Sequence, residues 1–565
     1  MTSTVSDPTI WRGRANASIH HFLWVVSVSA IYLITELNIW GLSFVLASAQ
    51  LQYFASIVGM IVVFSIMAAA GQASRSCDNF YHRWIKSKVD FINAQLGVGF
   101  SVPIIMLDHV LGIRDIGYII ATSAITNVIS WLAVFILSLL WLWLLTDLQP
   151  CGSTRTQDKP SKVSGFTSRC EVRSTFCRAT VQHCDGPWQY LTSDDSVEKK
   201  EERTSASTNT EAGASENDVE TKVEQGDGNL WCILKTNGYV ILCLIGITGV
   251  GMPLELVLRD SRVLDGFSIW LCWLVALRLQ RTVKYSNLFG SNIRFRHSLA
   301  TMINPVLVTT LLMLGFTRFK GLLAGNGGIA RVLGKFSSGS PLYAIWTASI
   351  SSSVVPDNPT LWFGAGDLAL SLLECGIVTW GFKLYECRRQ LFSVSGILIL
   401  LFSTFAAAGN TFLSVLLART VGLQPTESLA FAARSTTLAL AKPAVKALGG
   451  NLALNATLVV SNGILGQLLY PILLDKLSIP SIQAGARGKD KTTTSDQDDE
   501  DGTVTVAAGT AIGINGAAMG VSYLYEVKSR AAPYAALSMT MFGVMNVVFT
   551  TLDPFKAIVL KLASW

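Results

Sequence analysis

The stretch "GTAIGINGAAMGVSYLYE", Gly509 to Glu526, has the length of a membrane span but few bulky side chains. Its glycines Gly509, Gly513, Gly516 and Gly520 fall on one stripe of a helix. Each glycine costs a helix about 1 kcal/mol relative to alanine. The packing or the function of this segment must therefore compensate for four of them.

The composition of the whole chain agrees with a membrane location. Half of the 565 residues are hydrophobic, 15% are charged, and the mean hydropathy is +0.44. Apolar runs of about 20 residues, enough to cross a bilayer, recur along the chain, and they lack the alternation of a membrane β-barrel. We therefore predict an all-α polytopic membrane protein with about 12 transmembrane helices. The net charge of +6 belongs to the loops and does not indicate nucleic-acid binding.

The predicted spans fall into a group of four and a group of eight. The first group is residues 22–40, 51–71, 95–111 and 117–145. The second group is residues 237–258, 267–280, 299–317, 361–385, 393–418, 451–476, 504–525 and 533–551. Basic residues concentrate before the first span, at Arg12 and Arg14, and in the loop after the second. The positive-inside rule therefore places both segments in the cytosol.

Polar segments divide the chain into four parts. Residues 1–21 are predicted to be a cytosolic N-terminus, and residues 22–145 a four-helix membrane module. Residues 146–229 are a charged linker that cannot bury enough apolar surface to order itself. Residues 230–565 form the second module, with a polar loop at 481–502. The N-terminus has no clear transit peptide, so the sequence gives no support for a plastid location.

Two parts of the second module are apolar but interrupted. They are residues 318–358 and residues 428–448. Polar and glycine residues break both, so neither is a plain span. Such backbone is tolerated at membrane depth only against protein or a watery cavity, and both are candidates for re-entrant segments.

Two glycine-rich spans match each other at an offset of 140 residues. Residues 364–386 and 504–526 both end in Leu-Tyr-Glu, and Gly376 corresponds to Gly516. The span count gives the two segments opposite directions across the membrane. Paired broken helices of opposite direction are typical of inverted-repeat transporters, which bind substrate where the breaks meet.

The segment "RSTT", Arg434 to Thr437, is the first candidate for a binding site. An arginine in an apolar segment costs roughly 3 kcal/mol on insertion scales, and such residues usually face a cavity or a partner. A guanidinium can hold a carboxylate through two parallel hydrogen bonds. Ser435, Thr436 and Thr437 add hydroxyl groups that suit a small hydroxy-carboxylate. The alternative is an interfacial helix whose basic side chains extend to lipid headgroups.

Asn515 and Gly516 are the second candidates. A helix break at these residues would free backbone groups to bind a substrate. A stripe of glycines also lets two helices pack closely, but close packing does not account for Asn515. Asn304, which interrupts another span beside Pro305, completes the set of candidate substrate-binding residues, although the proline alone would suffice for a kink.

Asp367 and Glu374 lie inside a predicted span and are candidates for carrying a coupling proton. "GAGD", Gly364 to Asp367, also fits the Gly-x-Gly-Asp motif of intramembrane aspartyl proteases. That chemistry needs two carboxylates that share a proton. The second aspartate should follow a tyrosine in a preceding span, and none is present. We therefore expect no catalytic residues and no enzymatic activity.

The cysteines do not predict a metal site. Cys170, Cys177 and Cys184 are evenly spaced and His183 precedes the last of them, but this spacing matches no standard zinc-ligand pattern. No phosphate loop or zinc-protease motif is present. We expect neither a metal nor a cofactor.

Taken together, these segments resemble the fused LrgA/LrgB family. Its bacterial members are described as holin-like and antiholin-like, and its plant form is the plastidal glycolate/glycerate translocator. The LrgB-like part covers roughly residues 300–551, where "NPVLVTTLLML", "ARSTTLALAKPAVKALGG", "NGILGQLLYPILL" and "AAGTAIGINGAAMG" follow the family's order. The LrgA-like part, residues 20–145, is similar in "ASIVGMIVVF" and "NAQLGVGFSVPIIML". The resemblance implies an LrgA-like first module and an LrgB-like transport module.

The sequence departs from the family pattern at candidate site residues. The family's lysine before serine is Arg434 here, which keeps the charge. Its Ser-Ser-His in the glycine-rich span is replaced by Asn515, Gly516 and Ala517, which removes a histidine. Asp367 is an addition. The family's substrate and coupling ion therefore do not transfer directly to this chain.

The sequence thus predicts a secondary transporter of small organic carboxylates, similar to glycolate or glycerate, that works by alternating access. Proton coupling through Asp367 or Glu374 is one option, and the first module would be an accessory or scaffold. The expected partners are the substrate, the lipid bilayer and a further copy of the chain, and not nucleic acid. The alternative is a holin-like oligomer that raises membrane permeability.

Overall fold

A computed structural model describes residues 8–49, 51–106, 113–147, 228–285, 293–325, 327–339, 341–350, 363–477, 479, 503–527 and 529–565. These residues are helical almost throughout and contain no β-strand. This confirms the all-α fold class. The linker predicted at 146–229 lies almost wholly outside the described residues, and so does the loop at 481–502.

The helices of the first module precede the linker. They are α1 (Pro8–Ala47), α2 (Ala55–Ala73), α3 (Arg75–Phe80), α4 (Lys86–Gln95), α5 (Gly97–Ile105) and α6 (Ile113–Asp147). A 3-10 turn at Gln52–Phe54 precedes α2, and a π turn at Tyr81–Ile85 joins α3 to α4. Because α1 begins at Pro8, most of the predicted N-terminal segment 1–21 continues the first helix.

The helices of the second module follow the linker. The first of them are α7 (Gly228–Ile245), α8 (Met252–Leu258), α9 (Arg262–Tyr285), α10 (Ile293–Met302), α11 (Pro305–Leu323), α12 (Gly328–Phe336), α13 (Leu342–Ile350) and α14 (Ala365–Glu386). The others are α15 (Arg388–Leu391), α16 (Val394–Val421), α17 (Pro425–Ala430), α18 (Leu438–Leu448), α19 (Leu452–Lys476), α20 (Thr503–Glu526), α21 (Ala532–Thr551) and α22 (Phe555–Ser564).

Within the described ranges, 11 helices are long and apolar enough to cross a membrane. They correspond to the predicted spans except for the span at 95–111. There the chain forms two short helices, α4 and α5, which adjoin at Leu96, and residues 107–111 lie outside the described ranges. A Cβ at Gly97 would overlap the Trp273 ring, and a Cβ at Gly99 would meet the carbonyl oxygen of Ala369. Close contact with the second module thus replaces a straight span.

The two predicted modules pack directly against each other. Helix α2 lies on α14, and α6 lies on α16 and α20. Hydrogen bonds cross this contact: Trp273 Nε1 donates to Gln95 Oε1 at 2.7 Å, and the Tyr81 hydroxyl donates to Glu386 Oε1 at 2.7 Å. The first module therefore contributes side chains to the interior of the second.

The two interrupted segments form short helices. Residues 318–358 comprise the end of α11, then α12 and α13, while residues 351–362 lie outside the described part of the chain. Residues 428–448 comprise the end of α17, a 3-10 turn at Phe431–Ala433, four non-helical residues and α18. Every residue from Glu427 to Ala441 is buried. The backbone break in this second segment is therefore enclosed by protein.

The glycine stripe of α20 packs within the chain. A Cβ at Gly509 would lie 2.6 Å from the Ala531 carbonyl oxygen, and one at Gly513 would overlap the Ala535 carbonyl oxygen and the Ser538 hydroxyl. The backbones of α20 and α21 thus approach more closely than larger side chains allow. This close packing compensates for the low helix propensity of glycine.

Helix α14 differs from α20 in a way that the sequence did not predict. It is continuous from Ala365 to Glu386, so the break expected between residues 364 and 376 is absent. The Leu96 side chain lies beside Gly376, where a Cβ would overlap it. Gly376 therefore admits a neighbouring side chain rather than breaking the helix. The inverted repeat that relates α14 to α20 stays a prediction.

Candidate functional site

Arg434 lies between two helix ends in the interior. On one side, a capping box between Gln424 and Glu427 fixes the start of α17. On the other, Thr437 is the N-cap of α18, with an extended ψ of 137°. Residues 434–437 between them are not helical. The sequence thus places one charged and three hydroxyl side chains at a buried break.

The Arg434 side chain makes three hydrogen bonds and is only 2% exposed. Its Nε donates to Ser414 Oγ at 3.2 Å, and its Nη2 donates to the Thr126 carbonyl oxygen at 2.9 Å. Its Nη1 donates to Asn127 Oδ1. All three acceptors are uncharged, and two of them belong to α6 of the first module.

The positive charge of Arg434 has no counter-charge in the described part of the chain, where no carboxylate pairs with it. A guanidinium carries five N–H donors, so three bonds leave two donors free. A buried ion without an opposite charge is strongly unfavourable. The environment of Arg434 therefore favours a bound anion, and a carboxylate matches two adjacent N–H groups.

Two hydroxyl groups beside Arg434 also lack partners. The Oγ1 atoms of Thr436 and Thr437 are buried and make no hydrogen bond to any residue that the structure describes. Thr437 does not use its hydroxyl to cap α18, although threonine often caps a helix in that position. Buried polar groups are normally hydrogen-bonded. The same short segment therefore holds an unpaired charge and two unpaired hydroxyls.

Asn515 and Gly516 lie at a break in α20. The break is at Ala517, whose φ of 47° and ψ of −142° are not helical. This conformation is unfavourable for a residue with a Cβ and costs about 1–3 kcal/mol. The predicted break at Asn515 and Gly516 is thus displaced by one residue along the helix.

Asn462 of α19 joins the two breaks. Its Nδ2 donates to the Asn515 carbonyl oxygen at 2.6 Å and lies 3.4 Å from Ser435 Oγ. Asn462 is 4% exposed. The structure therefore brings the Arg434 segment and the Asn515 segment together, as the sequence predicts.

Helix α6 joins the same two breaks from the other module. Ser130 Oγ donates to Asn515 Oδ1 at 2.6 Å, and Asn127, three residues earlier, accepts from Arg434. Residues three apart lie on the same face of a helix. One face of α6 therefore contacts both candidate segments.

Tyr470 of α19 borders the break at Gly516. A Cβ at Gly516 would overlap the Tyr470 hydroxyl, which explains why this position is glycine. The hydroxyl is buried and has no hydrogen-bond partner. The Tyr470 ring lies 5.5 Å from the Trp131 ring of α6. Tyr470 thus adds a third unpaired hydroxyl near the break.

Asn304 has a structural contact that accounts for it. Its Oδ1 accepts from the Val306 backbone at 2.9 Å and caps α11. Its Nδ2 lies 3.9 Å from Met519 Sδ in the second half of α20. These contacts place Asn304 near the second half of the broken helix rather than on Arg434.

Asp367 is fully hydrogen-bonded at the start of α14. Its carboxylate accepts five bonds: from the backbone of Ser338, Gly339 and Gly364, and from the hydroxyls of Ser337 and Ser338. Each of the two carboxylate oxygens accepts at least two of these hydrogen bonds. The contacts explain Asp367 as an anchor between the 337–339 turn and α14, and they leave it no free oxygen for a protease-like or proton-carrying role.

The alternative of an interfacial basic helix fits only part of the segment. Lys446 is exposed and Lys442 is partly exposed, whereas Arg434 is enclosed. Glu374 of α14 interacts electrostatically with both lysines and not with Arg434. Glu374 therefore belongs to a different part of the structure from the Arg434 site.

Sequence reasoning missed Asn127, Ser130, Asn462 and Tyr470. Each is a polar side chain in an apolar span, which is the signal that singled out Arg434 and Asn515. Across the described ranges, no group of three or more His, Cys, Asp or Glu side chains could hold a metal ion. The cysteines at 170, 177 and 184 lie outside those ranges.

One family model matches part of the chain. The family model described as the LrgB-like family matches residues 288–495. This range includes Arg434 to Thr437, Asn462 and Tyr470, and it ends before α20 and Asn515. It does not extend to residues 22–145, so the LrgA-like assignment of the first module stays a prediction.

One curated relative is a plant membrane protein. The chain is 25% identical over 191 residues to "Plastidal glycolate/glycerate translocator 1, chloroplastic" of Arabidopsis thaliana. The match covers 32% of this chain and 31% of that protein. No solved structure matches the chain significantly.

Proposed function

We propose that the chain transports small organic carboxylates across a membrane and that Arg434 binds the carboxylate. The observation that carries the proposal is the buried Arg434 guanidinium, which has two free N–H donors and no counter-charge in the described part of the chain. A carboxylate supplies one negative charge and two acceptor oxygens in the geometry of the guanidinium fork. It would therefore complete both the charge and the hydrogen bonding of this side chain.

The hydroxyl groups narrow the substrate class to short hydroxy-acids. Thr436 and Thr437 each offer a buried, unpaired hydroxyl, which can donate or accept a hydrogen bond. A substrate with a hydroxyl next to its carboxylate, such as glycolate or glycerate, would pair with both kinds of group. A simple fatty acid would satisfy only Arg434.

The breaks provide the means for alternating access. Arg434 is 2% exposed, so substrate reaches it only when the surrounding helices move. The non-helical residues at 434–437 and at Ala517 interrupt the packed helices and are where we expect them to hinge. Asn127 accepts a hydrogen bond from Arg434, and Ser130 donates one to Asn515, so α6 is attached to both breaks. The first module is therefore part of the binding site and not only a scaffold.

The comparisons agree with this proposal at the level of family. The matched plant relative is named as a glycolate/glycerate translocator, and the LrgB-like match contains the Arg434 segment. The holin-like alternative requires a permeable oligomer. The glycine stripe that would suit an oligomer packs within the chain instead, against α21 at Gly509 and Gly513 and against Tyr470 of α19 at Gly516. A buried, unpaired cation also has no purpose in a non-selective pore.

Uptake of labelled glycolate and glycerate into proteoliposomes tests the proposal. We expect saturable uptake by the wild-type protein, near-complete loss in Arg434→Ala, and no change in Arg331→Ala, which removes an exposed arginine of α12. Non-saturable flux of these acids together with unrelated dyes, unchanged in Arg434→Ala, would overturn the proposal and favour the holin-like alternative.

A further inference from the structure

A second buried polar cluster lies between α1 and α14, apart from the Arg434 site. At its centre is Glu36 of α1, which is 1% exposed. Neither oxygen of its carboxylate has a hydrogen-bond partner within the described ranges. No ion pair within 4.0 Å is found for Glu36 among the described residues. A buried carboxylate without any partner needs an explanation.

Two hydrogen bonds fix the position of Glu36 on α14. The Tyr32 hydroxyl lies 2.6 Å from Ser371 Oγ, and Thr35 Oγ1 donates to Cys375 Sγ at 2.9 Å. Both bonds join the turn of α1 that carries Glu36 to the turn of α14 that carries Glu374. The two helices are therefore held in register, with one glutamate on each.

The two glutamates interact electrostatically. Glu374 is the charged group that acts on Glu36. The Oε2 atom of Glu374 is also buried and unpartnered. Two carboxylates and three unpaired oxygen atoms thus occupy one enclosed place between the modules. Two ionised carboxylates repel each other there, because little water is present to screen them.

The other titratable groups that face this pair come from several helices. They are Tyr32 and Cys375 on the same two helices, Tyr343 of α13, and Lys442 and Lys446 of α18. The two lysines attract Glu374, and no lysine acts on Glu36. The cations thus offset the charge of one glutamate and leave the other without compensation.

We propose that Glu36 and Glu374 form a proton-binding pair that links the first module to the second. One proton from water binds a carboxylate oxygen of the pair, and the neutral carboxyl no longer repels the remaining carboxylate. The charge of the pair changes from −2 to −1, and no other bond forms or breaks. Like-charged carboxylates that share a site take up one proton in this way.

This pair gives the predicted proton-coupling role of Glu374 a partner and a structure. Glu374 lies on α14, and the lysines that it attracts lie on α18, directly after the Arg434 break. A change of charge at the pair therefore acts on the helix that begins at Thr437. Proton binding does not depend on the proposed function, whereas coupling to carboxylate uptake rests on it.

Infrared difference spectroscopy of the purified full-length protein in nanodiscs tests proton binding directly. A protonated carboxyl has a carbonyl stretching band that an ionised carboxylate lacks. We expect a protonated-carboxyl band at neutral pH that disappears on a step to alkaline pH. It should be lost in Glu36→Gln. In Glu374→Gln it should disappear at a lower pH than in the wild-type protein, because the repulsion from the second carboxylate is gone while Glu36 stays buried.

Glu427→Gln is the matched control. Glu427 is also a buried glutamate of the second module, at 8% exposed, and it accepts from the Gln424 backbone, as a glutamine also can. This variant should retain the band. Absence of the band from the wild-type protein, its persistence in Glu36→Gln, or an unchanged pH dependence of the band in Glu374→Gln would overturn the proposal. A band that sodium ions abolish at constant pH would do the same, because it would indicate a cation site.

Uptake measurements test the coupling separately. An inward proton gradient should stimulate glycolate uptake by the wild-type protein and not by Glu36→Gln, which should still exchange internal for external glycolate. Gradient-stimulated uptake in Glu36→Gln would overturn the coupling role. If the wild-type protein takes up no carboxylate, the proposed function fails, and the infrared result still decides whether the pair binds a proton.

Discussion

Arg434 and Asp367 are both charged, both 2% exposed and both placed at a helix end, yet their surroundings differ. Asp367 accepts five hydrogen bonds, four of them from the adjacent 337–339 turn, so its site is complete. Arg434 has three uncharged acceptors and lies beside two unpaired threonine hydroxyls. Burial of a charge therefore does not by itself identify a binding site. What marks Arg434 as the candidate site is that its set of hydrogen-bond and charge partners is incomplete.

The difference between the two sites should disappear when a side chain of the protein supplies the counter-charge that Arg434 lacks. Asn127→Asp places a carboxylate against the guanidinium that Asn127 already contacts. Coupling between close buried charges is worth about 3 kcal/mol or more. We expect about a 150-fold loss of glycolate affinity, measured as the substrate concentration for half-maximal uptake.

Asn127→Ala is the control for that prediction. It removes the same hydrogen bond without adding a negative charge, so its effect on affinity should be several-fold at most. Equal losses in the two variants would mean that the geometry of the site, and not its missing counter-charge, determines affinity.

The complementary test alters Asp367, whose hydrogen bonding is complete. Asp367→Asn replaces two accepting oxygens by one oxygen and an NH₂ group that faces N–H donors. We expect the free energy of unfolding to fall by about 2 kcal/mol, seen as a lower thermal transition in nanodiscs. The folded protein should bind glycolate with unchanged affinity. A loss of affinity at unchanged stability would place Asp367 in the substrate site.

The hydroxyl groups of Thr436 and Thr437 provide a third test, because they have no hydrogen-bonding role in the structure without substrate. Thr436→Val keeps the shape of the side chain and removes the unpaired hydroxyl. A hydrogen bond to a charged group is worth about 1.5 kcal/mol, so affinity for glycolate should fall about tenfold. Stability should not fall. If thermal unfolding shifts downward and affinity does not change, the hydroxyl serves the fold instead.

The smallest expected effect concerns the second break. Ala517 has a φ of 47°, which glycine adopts without strain. Ala517→Gly should therefore raise the free energy of unfolding by about 1 kcal/mol. Gly513→Ala in the same helix should lower it, because the added Cβ overlaps α21. Destabilisation by Ala517→Gly, measured as a lower thermal transition, would contradict the assignment of strain to this residue.

The sequence predicts the fold class and singles out candidate site residues for a physical reason. Membrane spans follow from long apolar runs, and a charged or amide side chain within such a run is rare enough to be noticed. Arg434 and Asn515 stand out in this way, and the structure joins their segments through Asn462. The all-α fold and the proximity of the two segments were therefore predictable.

The contributions of the first module were not predictable in the same way. Asn127 and Arg434 are 307 residues apart in sequence, and they meet where α6 packs on α16 and α20. Glu36 and Glu374 likewise meet through contacts between α1 and α14. The continuity of α14 also depends on such contacts, because Leu96 from another module lies against Gly376. Glycine content alone does not decide whether a helix breaks.

Ligand binding at equilibrium tests most directly whether Arg434 binds the carboxylate. Thermal unfolding of the purified protein is measured with increasing glycolate, for the wild-type protein and for Arg434→Gln. Ligand that binds only the folded state stabilises it by about 2.7 kcal/mol at a concentration 100 times its Kd. The wild-type transition should rise with glycolate, and that of Arg434→Gln should not. An equal rise in both proteins would show that glycolate binds elsewhere, and it would contradict the assignment of Arg434 as the carboxylate site.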